Sequence, residues 1–157
     1  MVAKMAAALG KKDEATRYHE LARKITDAFV AAYVDDQGRI RGNTQASYAI
    51  PLEMGLLNGV REKRAVEHLL AAVQTHDGKF STGIHSSKRL LLALSARGHH
   101  DLAYALAMNP QFPSYRYMID CDATTVWERF DGWRKDMGFN PDIMNDFSYL
   151  SAIRESN

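Results

Sequence analysis

Leu90-Leu91-Leu92-Ala93-Leu94 is apolar at five consecutive positions. A helix that is hydrophobic nearly all round is a buried one, so this run predicts an inner helix of a two-layer arrangement. Gly98 ends that helix, and Asp101 to Met108 forms the next, before Pro110 and Pro113 break the pattern. Upstream, Val66, Leu69, Leu70 and Val73 line one side of a helix over Val60 to Gln74, with Arg61, Glu62, Lys63 and Arg64 as a solvated face near its start. The turn His76-Asp77-Gly78 follows, then a short extended piece from Lys79 to Gly83.

Earlier still, Gly42-Asn43-Thr44 caps a helix that carries Pro51 well inside it, which predicts a kink or an early end. Val2, Met5, Ala6 and Leu9 share one helical face, and Gly10 stops the helix. A longer helix then carries Ala15, Tyr18, Leu21, Ala22, Ile25, Ala28, Phe29, Ala32 and Tyr33 as a wide stripe, ending near Asp36-Gln37-Gly38. These two predict an αα-hairpin whose apolar faces need a partner layer. A last helix, with Phe147, Leu150 and Ile153 at helical spacing, is expected from about Asn145 to Glu155. The chain therefore reads as all-α, with helices in antiparallel pairs: an α/α toroid or an α-solenoid. No fixed period repeats across the pairs, which counts against a regular solenoid.

The 157 residues hold one domain, 1–157, and are too few for two ordinary ones. The chain is 46% apolar and 25% charged, the balance of a globular domain. Net charge is +1 with no basic stripe, so nucleic acid and an anionic membrane surface are not expected partners. No apolar run reaches bilayer-spanning length, and the first residues lack the form of a signal peptide. One cysteine, Cys121, allows no internal disulfide and points to a reducing cytoplasm. The six histidines have no metal-ligand spacing, and no phosphate loop, nucleophile elbow or Cys-His pair occurs, so neither metal nor cofactor is expected.

From Gln111 to Pro141 helical periodicity disappears. Irregular stretches of that length in compact domains are functional or disordered, and the aromatic content argues for function. At its centre Ala123-Thr124-Thr125-Val126-Trp127-Glu128-Arg129-Phe130-Asp131-Gly132-Trp133 sets two threonines, two tryptophans and a carboxylate side by side. A carboxylate beside aromatic faces suits a sugar-cleaving pocket: the acid handles a proton or a water, and the rings cover the apolar faces of a pyranose. The same residues also suit an ordinary core turn, with Trp127 and Phe130 buried. Arg129 would hold Glu128 ionised if the two side chains faced each other.

That segment resembles the C-terminal signature of bacterial α-L-rhamnosidases, inverting glycoside hydrolases built on an (α/α)6 barrel. Gly42-Asn43-Thr44-Gln45-Ala46-Ser47-Tyr48-Ala49, Ser81-Thr82-Gly83, Asp101-Leu102-Ala103-Tyr104, Tyr117-Met118-Ile119, Gly138-Phe139 and Met144-Asn145 agree with the family in the same order. The resemblance covers almost the whole chain and implies a partial (α/α)6 toroid, the later half of the barrel. It implies that Glu128 is the general base that activates the attacking water. Trp127 and Trp133 would stack on sugar or support the pocket wall, and Gln45 and Thr82 would stand at the barrel mouth. After Met144-Asn145 the family has a histidine that contacts the sugar, and Tyr149 stands roughly in its place here.

An inverting reaction needs a second carboxyl group as general acid, about 6.5–9.5 Å across the scissile bond. The family's acid lies in a motif that no stretch of this chain resembles, and Asp120, Asp122 and Asp131 are read as turn or pairing residues. The expectation is thus part of an enzyme that removes terminal α-L-rhamnose, without cofactor and inactive as an isolated chain, with a carbohydrate partner. A half toroid leaves inner-helix surface uncovered, which adds self-association or poor solubility. The rival readings are a non-catalytic helical interaction module derived from such an enzyme, and a different (α/α)6 carbohydrate-active enzyme.

Overall fold

The computed structural model describes residues 1–134 and 136–140. Seven helices run in order among them: α1 (Val2–Ala8), α2 (Lys12–Tyr33), α3 (Gln45–Glu53), α4 (Gly59–Gln74), α5 (Ile84–Ser95), α6 (His100–Ala107) and α7 (Tyr115–Asp120). A two-residue hairpin follows, β1 (Trp133–Arg134) against β2 (Gly138–Phe139), antiparallel with Trp133 opposite Phe139. Helices pack as neighbours in the chain, α1 on α2, α3 on α4 and α5 on α6, while α3 and α5 lie against each other. This is the paired-helix, two-layer plan expected from the sequence, with α3 and α5 at its centre.

The core explains the plan. Tyr48, Ala49 and Leu52 of α3 meet Leu90, Ala93 and Leu94 of α5, with Ala65, Leu69 and Val73 of α4 and Ala103 and Leu106 of α6 closing the flanks. Each buried leucine contributes roughly 1.5–3 kcal/mol. Arg97, just beyond α5, ties three elements together: it donates to the Leu52 carbonyl at 2.9 Å, to the Ala93 carbonyl at 3.1 Å and to Glu62 Oε1 at 2.6 Å. The turn after α2 is seated on α4, where Arg64 donates to the Asp36 carbonyl at 2.7 Å. Gly38 makes this possible: its φ is +72°, and a Cβ there would stand 2.8 Å from Arg64 Cβ.

Thr44 caps α3, its hydroxyl accepting from the Ser47 N–H at 3.2 Å while Ser47 Oγ accepts from the Thr44 N–H at 2.8 Å. The helix ends two residues past the buried Pro51, the early end its position predicts. Two expectations are corrected. The Leu90–Leu94 run is not buried all round, because Leu92 is 46% exposed. Five residues cover more than a full turn, and among the described residues the helices packed most closely on α5 are α3 and α6. The stretch after Gln111 is not wholly irregular, since it contains α7, capped by Ser114, whose Oγ accepts from the Tyr117 N–H at 2.9 Å, and the hairpin. Lys79 to Gly83 joins α4 to α5 without helix or strand. The helix expected from about Asn145 lies outside the described residues.

The α1–α2 hairpin is the least embedded part. None of the 22 residues of α2 is buried. Leu21, Ile25 and Tyr33 stand exposed on it, with Val2, Met5 and Leu9 exposed on α1. Only the C-terminal end of α2, through Phe29 and Val30, packs against the main core.

Candidate active site

The segment from Ala123 to Asp131 follows α7 with no regular secondary structure, so side chains must hold it. Two do so. Trp127 and Phe130 are 5% and 6% exposed and belong to the main core, while Glu128 and Arg129 between them face outward. Phe130 lies in an aromatic cluster, its ring stacked on Phe80 at 5.3 Å between centroids and edge-on to Tyr115 at 5.4 Å. Phe80 and Tyr115 complete the triangle edge-on at 5.8 Å. Burial raises the Tyr115 phenol above its usual pKa. Trp133, half-buried on β1, packs against the same core.

Arg129 turns away from the role its position offered. Its guanidinium forks onto Asp131, with Nε at 2.9 Å from Oδ1 and an Nη at 2.8 Å from Oδ2. A guanidinium locked bidentately on the carboxylate two residues on is oriented by Asp131. Asn140, just after β2, reaches the same Asp131 Oδ2 at 3.5 Å and bonds its backbone N–H to the Gly132 carbonyl at 3.0 Å. Asp131 is thus a pairing residue, as is Asp120, which takes Arg116 Nε at 2.6 Å. Asp122 sits in the turn beyond α7 with φ +57°. The sequence reading of these three aspartates as turn or pairing residues agrees with the geometry.

Gln45 and Thr82 are not placed to meet a sugar. Gln45 is fully buried at the start of α3. Its Nε2 donates to the Lys79 carbonyl at 2.8 Å and the Ala72 carbonyl at 3.5 Å, and its Oε1 accepts from the Ser81 N–H at 2.9 Å. The amide thus bonds backbone groups of α4 and of the piece between α4 and α5, which has no β partner among the described residues. Thr82 is 8% exposed, its hydroxyl 2.8 Å from that of Ser87 at the start of α5. Both side chains are committed inside the protein, a correction to their expected place at the mouth. Tyr149 lies outside the described residues.

Two concavities lie elsewhere. One of about 360 Å³ runs between the end of α2 and residues 39–43, and one of about 490 Å³ lies between α4 and the α5–α6 turn, lined by Glu62, Val66, Arg97 and His99. Neither includes Glu128 or a tryptophan. Sequence reasoning missed Phe80 and Tyr115 as supports of the Glu128 segment. No local signal could have found Phe80, which lies fifty positions before the Phe130 it meets.

Residues 1–152 match the family described as the bacterial alpha-L-rhamnosidase 6 hairpin glycosidase domain. The chain belongs to this family. Among curated α-L-rhamnosidases, that of Streptomyces avermitilis is 40% identical over 151 residues, 96% of this chain and 14% of its own length. Those of Formosa agariphila and an Alteromonas species are 34% and 33% identical, over 96% and 94% of this chain and 16% of each relative. The crystal structure of the Streptomyces avermitilis α-L-rhamnosidase complexed with L-rhamnose superposes with a TM-score of 0.83 at 41% identity, over 92% of this chain and 14% of that one. The native Aspergillus terreus enzyme also gives 0.83, at 29% identity over 92% of this chain and 17% of that one. The chain thus spans about one-seventh of the rhamnosidases it matches, and its paired helices are part of their six-hairpin barrel.

Proposed function

We propose that this chain supplies the general base for hydrolysis of terminal, non-reducing α-L-rhamnose from glycosides, with inversion at the anomeric carbon, and that Glu128 is that base. The observation that carries the reading is the placement of Glu128: an exposed carboxylate between two buried aromatic anchors, in a chain of the α-L-rhamnosidase family. A base must be reachable by water, and Glu128 faces outward. Trp133, half-buried and packed against the same core, is the tryptophan that a sugar could reach, while the buried Trp127 serves as scaffold.

General acid assistance is worth about 10²–10⁴-fold. Asp120 and Asp131 are each paired with an arginine, and no stretch of this chain resembles the family's acid motif. The chain alone therefore turns over slowly or not at all. The test is hydrolysis of a chromogenic aryl α-L-rhamnoside by the purified chain, with Glu128→Gln alongside. Equal, near-blank rates agree with a base lacking its acid. A rate that disappears in Glu128→Gln would show that an acid is in place, and a clear rate unaffected by the substitution would overturn the base assignment.

The exposed apolar stripe of α1 and α2 favours a second property, self-association of the isolated chain through that face.

A further inference from the structure

We infer that Gln45 is a positioning residue for the Glu128 carboxylate, acting through Phe80. The inference rests on Glu128 being the base, since only then does its placement bear on a reaction. Gln45 clasps the backbone on both sides of Phe80: its amide nitrogen donates to the Lys79 carbonyl at 2.8 Å, and its amide oxygen accepts from the Ser81 N–H at 2.9 Å. The residue between those two groups has little freedom left. Its ring, 3% exposed, projects into the aromatic cluster and stacks on Phe130 at 5.3 Å with the planes 19° apart.

Phe130 lies two residues after Glu128 and is one of the two buried side chains by which that segment packs on the core. The segment has no helix or ladder of its own, so its backbone goes where its anchors go. A chain of contacts thus runs from the first residue of α3, through the piece between α4 and α5, to the base-bearing segment beyond α7. Three stretches far apart in sequence are set by one buried amide. A base misplaced by about 1 Å loses on the order of 10²-fold in rate, so such a clasp bears directly on catalysis. Glutamine fits the task because one side chain offers both a donor and an acceptor in the spacing of a peptide group.

The experiment reads the carboxylate itself. The chain is labelled with glutamate carrying ¹³C at the carboxyl carbon, and the Glu128 resonance is identified by its loss in Glu128→Gln. Gln45→Asn, which keeps the amide but cannot span both backbone groups, and Phe80→Leu, which keeps the clasp but removes the ring, are then compared with the parent chain. Both are expected to shift or broaden the Glu128 signal while leaving those of Glu14 and Glu20 on α2 unchanged. A general loss of stability in a folded protein would not single out one carboxylate. If the Glu128 signal stays in place in either folded variant, the inference is overturned. Should Gln45→Asn fail to fold, Phe80→Leu decides alone. The signal reports position and not turnover, so failure of the base assignment would show only in the hydrolysis assay and leave this result standing.

Discussion

Glu128 is held by its neighbours, and the same is true of most polar groups near it. The fork between Arg129 and Asp131 has good geometry, yet the arginine side chain is 56% exposed. Exposed ion pairs are worth about 0–1 kcal/mol, so Arg129→Ala should lower stability by less than about 1 kcal/mol in urea titration. Buried groups behave otherwise. Gln45→Leu leaves the Lys79 carbonyl and the Ser81 N–H without the partner they have now, at about 1–3 kcal/mol each, and should be far more damaging in the same titration.

Tyr48 adds a pH dependence. It is fully buried, its hydroxyl donating to Asn43 Oδ1 at 2.5 Å, and burial raises its pKa above 10.0, as it does for Tyr115. The folded state then holds these protons more tightly than the unfolded chain. Their contribution is fully present below pH 10.0 and is lost as pH rises through the folded values. Thermal melts should show stability falling above about pH 10, with a shallower fall in Tyr48→Phe.

At the scale of the elements, helix ends and helix faces separate cleanly. The Thr44–Ser47 capping box satisfies backbone groups at the start of α3 that the helix cannot. Thr44→Ala should cost about 1 kcal/mol. On α5, Leu90 is fully buried and Leu92 is 46% exposed. Leu90→Ala should cost about 2–5 kcal/mol and Leu92→Ala under about 1 kcal/mol, a contrast that chemical denaturation resolves easily. An apolar run alone cannot make that distinction, because all five of its residues look alike until the neighbouring helices are known.

For the whole molecule, the apolar stripe of α2 is the feature out of balance. Leu21 and Ile25 stand about half exposed, 47% and 55%, on a helix with no buried residue. Sedimentation at rising concentration should show association of the isolated chain, and Leu21→Lys with Ile25→Lys should return it toward monomer. A monomer at all concentrations in the parent chain would mean that this face tolerates water.

The sequence by itself determined the helical class, the pairing of helices, the cap and early end of α3, and the family. It also singled out Glu128, through its place in a segment of recognisable order. Periodicity, capping and turn residues act over a few positions, so they are readable in one dimension. Only the tertiary structure decided that Arg129 belongs to Asp131, that Gln45 and Thr82 are internal fastenings, and that Phe80 packs on Phe130 of the Glu128 segment. Each of these rests on which of several available partners a side chain meets. For Gln45 and Phe80 the partners come from distant stretches and are selected by burial, where an unmet polar group is costly and a ring needs a face to pack on.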